Sequence, residues 1–174
     1  MLFTEKGDKS LPTIILLHGN GLSDWSWDRV VKELQEEYHI VTPIIDGHGE
    51  DFETEFTSIE DSADKLIQYI DRYQYGKVFA IGGCTLGAQI VIDILSKRND
   101  IAQYAIIESP LIYPIKLPSS TMNSLSFKVA YKLAKKSWFA KLQAKSLNIP
   151  KELYDKFFED NKKITKTSIL CIFT

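Results

Sequence analysis

The chain has 174 residues, 44% of them hydrophobic and 25% charged, with a net charge of −2, which suits a single soluble domain with a hydrophobic core. No apolar run approaches the ~20 residues that span a bilayer, and the first residues lack the basic, apolar and small-residue regions of a signal peptide, so a cytoplasmic location is expected. Two scattered cysteines, Cys84 and Cys171, and three dispersed histidines, His18, His39 and His48, argue against a disulfide scaffold and have no zinc spacing.

Thr13-Ile14-Ile15-Leu16-Leu17 is a short apolar run closed by His18-Gly19-Asn20-Gly21. Such a run predicts a strand buried on both faces, as in a parallel sheet. Ser23 or Asp24 is placed to cap a helix reaching Tyr38, because Trp27, Val30, Val31 and Leu34 recur at helical spacing. His39 to Ile45 reads as a second strand, closed by Asp46-Gly47-His48-Gly49. Residues 50–57 read as a loop. Ser58-Ile59-Glu60-Asp61 resembles a capping box before a helix whose Ile59, Ala63, Leu66, Ile67 and Ile70 share one face, with Gly76 ending the unit.

Lys77 to Ile81 predicts a third strand, followed by Gly82-Gly83-Cys84-Thr85-Leu86-Gly87-Ala88 and a helix over 86–98. Strand, tight glycine turn and helix form the geometry of a nucleophile elbow, Gly-x-Ser-x-Gly, with Thr85 at the central position. The positions two before and two after the centre lie close together in such a turn, so Gly83 and Gly87 fit it. Cys84 is poorly placed for the same role, because its own +2 neighbour is Leu86; a packing thiol is the alternative. Thr85 carries a hydroxyl, so attack on a carbonyl is chemically available. Its β-branch is disfavoured at unusual backbone angles and crowds the attacking atom. It therefore reads either as a nucleophile or as a residue that only holds the turn.

Tyr104 to Glu108 predicts a fourth strand, and strands alternating with helices imply right-handed crossovers and a mostly parallel, doubly wound α/β sheet. After Pro110 the pattern changes to a Pro- and Ser/Thr-rich connector. Leu125 to Leu147 then reads as one helix, and Pro150 starts another containing Leu153, Phe157 and Phe158. Residues 1–115 carry 9 basic and 19 acidic side chains, whereas residues 116–174 carry 12 Lys and 4 acids. The lysines are spread along amphipathic segments without Arg, which points to a solvated helix face against an acidic body and not to a nucleic-acid site. A membrane-surface role for residues 125–147, motivated by the Lys-rich face and the Trp138-Phe139 pair, is the weaker reading.

Three landmarks, His18-Gly19-Asn20-Gly21, Asp46-Gly47-His48-Gly49 and Gly83-Cys84-Thr85-Leu86-Gly87, each follow a predicted strand in turn. Together they resemble the α/β-hydrolase fold family, particularly its esterase-like members. The resemblance implies a hydrolase core over residues 1–112, a helical cap over 113–165, and an incomplete return to the sheet over 166–174 with the C-terminal strands missing. It also implies that the backbone N–H groups of Asn20 and Leu86 form an oxyanion hole. His18 and Gly19 would order the loop, and His48 would shape a turn. Cap aromatics Phe127, Tyr131, Trp138 and Phe139 would either line an apolar substrate pocket or pack a core.

In such proteins the acid and the histidine follow the nucleophile along the chain. Glu108, at the end of the fourth strand, is a candidate acid, with a rim or ion-pair role as the alternative. No histidine follows His48. The expected activity is hydrolysis of a small ester, or a related carbonyl substrate with an apolar portion, through an acyl-enzyme, with neither cofactor nor metal. The alternative is a truncated or catalytically silent hydrolase-fold protein that binds a ligand. The exposed sheet edge left by absent strands offers a surface for a homodimer.

Overall fold

The computed structural model describes residues 1–111, 132–133 and 135–163. Five strands form one sheet: β1 (Leu2–Lys6), β2 (Thr13–Leu17), β3 (His39–Ile44), β4 (Val78–Cys84) and β5 (Ala102–Glu108). Their spatial order is β1-β3-β2-β4-β5, with β1 antiparallel to β3 and every other pair parallel. This is the doubly wound, mostly parallel α/β sheet predicted from the alternating pattern.

The period of two along β2 divides the core. Ile15 and Leu17 face Leu66 and Ile70 of α2 (Ile59–Tyr73) and Ile90 and Ile94 of α3 (Leu86–Lys97) in one buried cluster. Ile14 and Leu16 join Ile40, Ala80 and Val31 on the opposite face, where α1 (Asp28–Leu34) packs. Both faces of β2 are covered, so Ile14 to Leu17 form a continuous apolar run. The Ser58 hydroxyl accepts the Asp61 N–H at 3.1 Å, capping α2 as predicted. Gly76, at φ 78°, ends that unit, its N–H bonded to the Ile70 carbonyl.

Three elements differ from the sequence reading. β1 has no strong periodic signal of its own; its register against β3, Leu2 opposite Ile44 and Lys6 opposite Ile40, is set by long-range pairing. The helix expected from Ser23 to Tyr38 is a 3-10 turn, Asp24–Trp27, followed by a short α1 that ends at Leu34. Trp25 and Trp27 belong to different hydrophobic clusters, and residues two apart cannot share one helix face. The helix expected over 125–147 is not continuous: residues 132–133 are helical, Lys136 is extended, and a separate helix follows, α4 (Ser137–Ser146). A further helix, α5 (Tyr154–Lys163), follows the turn after Pro150. No described helix is long and apolar enough to cross a membrane.

Candidate active site

The site lies where β2 and β4 end side by side. Leu17 pairs with Gly83, and Gly83 with Ile107, so the loops after β2, β4 and β5 emerge at one edge of the sheet. Thr85 follows β4 with φ 47° and ψ −107°, and α3 starts at the next residue. A β-branched residue at this conformation is held there by its surroundings. The Thr85 N–H donates to the Glu108 carbonyl at 2.9 Å, and its own carbonyl accepts the Gln89 N–H at 3.1 Å.

The glycines flanking Thr85 answer to close backbone approach. A Cβ on Gly83 would lie 2.5 Å from the Gly87 carbonyl oxygen, and a Cβ on Gly87 would lie 2.5 Å from that of Leu17. Neither distance leaves room for a side chain. Gly19 shares the constraint from the facing loop, since its Cβ would stand 2.5 Å from Thr85 Oγ1. The two loops therefore close on each other because both lack side chains at their contact points.

Across this contact the Asn20 main-chain N–H donates to Thr85 Oγ1 at 3.3 Å. The Leu86 N–H opens α3, where no preceding helical carbonyl can accept it and the helix dipole favours negative charge. The structure thus brings Asn20, Thr85, Leu86, Gly19, Gly83 and Gly87 into one constellation.

The two nearby histidines are committed elsewhere. His18 is fully buried; its Nδ1–H donates to the Gly19 carbonyl at 2.9 Å and its Nε2 accepts the Ile45 N–H at 3.1 Å. Burial, with His48 beside it, pushes its pKa down to about 3, so the ring is neutral. Burial lowers the pKa of His48 too. Its Nδ1 stands 3.0 Å from the Asp46 carbonyl and its Nε2 3.1 Å from Asn20 Oδ1, and the single N–H of the neutral ring donates to one of these two oxygens. His48 is therefore a brace for Asn20. His39 sits at the opposite end of the sheet, between Thr13 and Glu5.

Glu108 meets Thr85 through its main chain, while its exposed side chain lines a groove of about 590 Å³ shared with Trp27, Val30 and Tyr104 on the α1 face. Cys84 is half-buried; burial, reinforced by the Glu108 carboxylate, pushes its thiol pKa up and away from the reactive thiolate. Trp138 is 60% exposed and stacks edge-on against Phe139 at 5.7 Å. Phe127 and Tyr131 lie outside the described residues, as does Cys171. No group of His, Cys, Asp and Glu able to hold a metal occurs among the described residues.

The long-range partners of Asp46, Asp51 and Trp25 carry no local sequence signal. Asp46 is fully buried and ion-paired to the Met1 α-ammonium and to Lys65; Asp51 takes the same ammonium at 2.8 Å. Trp25 Nε1–H donates to Asp160 Oδ2 of α5 at 2.7 Å, across 135 residues of chain. Only tertiary pairing reveals such partners.

Comparison with known proteins agrees with this geometry. The sequence profile described as the Alpha/beta hydrolase family matches residues 14–163. No curated protein matches the chain. Among solved structures, an alpha/beta hydrolase family protein from Desulfitobacterium hafniense is 18% identical, with TM-score 0.72 over 99% of this chain and 72% of its own. A structure described with carboxylesterases of the thaumarchaeon Nitrososphaera gargenis is 17% identical, with TM-score 0.73 over 99% of this chain and 68% of its own. A thermophilic esterase from Thermogutta terrifontis is 17% identical, with TM-score 0.70 over 97% and 66%. At these identities the structures establish the shared fold. The profile match, spanning most of the chain, and the Gly-x-Thr-x-Gly elbow between β4 and α3 place the protein in the alpha/beta hydrolase family.

Proposed function

We propose that the chain carries the nucleophile and oxyanion half of a hydrolase that acts on a small ester with an apolar portion. The observation that supports this reading best is the Asn20 N–H aimed at Thr85 Oγ1 across 3.3 Å. In the proposed reaction Thr85 Oγ attacks the ester carbonyl carbon, and its proton passes to a base. The Asn20 and Leu86 N–H groups take the developing oxyanion, each worth about 3–4 kcal/mol by the loss on removing such a donor. The alcohol leaves with a proton, and water cleaves the acyl-threonine. Residues 113–165 serve as a cap over this site, Trp138 and Phe139 contributing apolar surface, and the protein works in the cytoplasm without metal or cofactor.

One observation favours a second reading, a hydrolase-fold protein that binds a carbonyl ligand without turning it over. His18 and His48 hold their ring protons in fixed bonds and His39 sits at the far end of the sheet, so no described histidine is poised as the base that a hydroxyl nucleophile needs. Hydrolysis of p-nitrophenyl butyrate, together with labelling by a fluorophosphonate, separates the two. Turnover and labelling that vanish in Thr85→Ala support the hydrolase. Saturable binding of a short alkylboronic acid without turnover supports the silent binder. A homodimer through the β5 edge, where Tyr104, Ile106 and Ile107 are 60%, 61% and 42% exposed, is part of the proposal; sedimentation equilibrium unaltered by Ile106→Lys would remove it.

A further inference from the structure

The loop that carries Asn20 is gripped from outside the sheet. Trp25, in the same β2–α1 connection, is buried against Ala140, Ala144 and Phe157 and so completes the small core of α4 and α5. Its indole N–H ends on Asp160 Oδ2 at 2.7 Å. One residue on, the Asn161 side-chain amide donates to the Phe157 carbonyl at 2.9 Å and reaches the Gly21 carbonyl at 3.5 Å. Gly21 has φ 75°, and the Leu22 N–H closes a turn onto the Gly19 carbonyl at 3.2 Å. Asn20 thus lies in a tight turn, braced by His48 on the sheet side and by α5 on the other.

We propose that Asp160, acting through the Trp25 indole, is a positioning residue for the Asn20 N–H, so that docking of α5 sets the geometry of the oxyanion donor. The role assigned to that donor rests on the hydrolase reading above. The physical basis is stiffness. The turn holds two glycines and little side-chain packing of its own, and a donor must stay within tenths of an ångström of its target to stabilise developing charge. A buried indole with one charge-assisted bond supplies the missing anchor.

The test uses the full chain with Trp25→Phe, Asp160→Ala, their combination, and Asp160→Asn, which keeps an oxygen able to accept the indole N–H. Amide hydrogen exchange reports on residues 19–22. Trp25→Phe and Asp160→Ala are each expected to speed exchange there by about tenfold, the loss of one hydrogen bond. The double variant is expected to be no faster than either single one, and Asp160→Asn close to the unsubstituted chain. Exchange in β4 and α2 stays unchanged. On p-nitrophenyl butyrate Trp25→Phe, Asp160→Ala and their combination lower kcat and leave KM in place, and Asp160→Asn leaves both near the unsubstituted values. Uniform acceleration across the chain, additivity in the double variant, or an Asp160→Asn as damaging as Asp160→Ala would each overturn the proposal. Absence of turnover in the unsubstituted chain would remove the hydrolase reading alone, and the exchange pattern would still decide the coupling.

Discussion

The Asn20 N–H and the Thr85 hydroxyl meet at 3.3 Å although 65 residues separate them in the chain. The contact exists because Gly19 has no side chain: its Cβ would stand 2.5 Å from Thr85 Oγ1. Gly19→Ala is expected to rotate the hydroxyl away from Asn20 at a stability cost of about 1–2 kcal/mol, since a side-chain end in an exposed position yields more readily than backbone. Any Thr85-dependent labelling falls with it. Urea unfolding and fluorophosphonate labelling of the same variant check both halves.

The elbow glycines behave differently, because what they would strike is backbone. Gly83→Ala sets a methyl 2.5 Å from the Gly87 carbonyl oxygen, and neither strand nor helix can retreat without breaking its own hydrogen bonds. A loss of about 3 kcal/mol or more is expected. The adjacent Gly82 is the control. Its Cβ would meet Leu16 Cδ2 at 3.3 Å and Ile106 Cβ at 3.4 Å, so Gly82→Ala is expected to stay within about 1 kcal/mol of the parent. Equal midpoints for the two variants in urea would contradict the close-approach account.

Thr85 stores strain that can be read from a change of sign. In ordinary secondary structure Gly is less favourable than Ala by about 0.5–1 kcal/mol. At φ 47° and ψ −107° the ranking inverts, because a residue with a Cβ carries a penalty of about 1–3 kcal/mol. Thr85→Gly is therefore expected to be more stable than Thr85→Ala by about 1 kcal/mol, both variants having lost the hydroxyl. Thermal unfolding of the pair measures the difference directly. Ala above Gly would mean that the elbow is unstrained.

The fold was legible in the sequence because a parallel sheet covered on both faces leaves local marks. Ile14 to Leu17 are apolar without interruption, Ile40 to Ile45 nearly so with Thr42 among them, and Gly83 and Gly87 punctuate the turn between strand and helix. The turn around Thr85 was legible for a related reason: an elbow constrains residue types at fixed spacing, whereas the oxyanion roles of Asn20 and Leu86 came only with the family resemblance. The pairing of Trp25 with Asp160, and of Asp46 with the Met1 amine, was not legible. The partners lie 135 and 45 positions apart, counted as Trp25 to Asp160 and Met1 to Asp46, and nothing in a local period marks an indole that meets a carboxylate on another helix. The roles of His18 and His48 required both ring nitrogens to be traced to their partners.

The buried His18 ring makes stability depend on pH. Its pKa falls from 6.5 to about 3 on folding, so the unfolded chain takes up a proton that the folded one refuses. The contribution is fully present above pH 6.5 and is lost as pH falls from there toward 3, at about 1.4 kcal/mol per pH unit. The His48 shift has the same sign. Proton NMR is expected to show no titration of the His18 ring above pH 4. Urea midpoints should drop steadily between pH 6.5 and 4, less steeply in His18→Gln. A ring that titrates near pH 6 would disprove the buried, doubly bonded arrangement.

The ion cluster behind the Asp46-Gly47-His48-Gly49 loop acts at the other end of the pH scale. Burial opposes the charge on the Met1 amine, but the Asp46 and Asp51 carboxylates outweigh it and raise the amine above its ordinary 8.0. Its stabilisation is complete below pH 8.0 and is lost as pH rises through the higher folded value. Burial likewise opposes the Asp46 carboxylate, while Lys65 and the amine hold it below 3.8. That contribution is complete above pH 3.8 and is lost as pH falls through the lower folded value. Asp46→Ala leaves the ammonium facing Asp51 alone and is expected to cost about 3 kcal/mol at neutral pH. It should also flatten the alkaline decline, because most of what raised the amine has gone. Thermal midpoints from pH 7 to 10 for both proteins decide the point, and parallel alkaline declines would show that the amine is not held by Asp46.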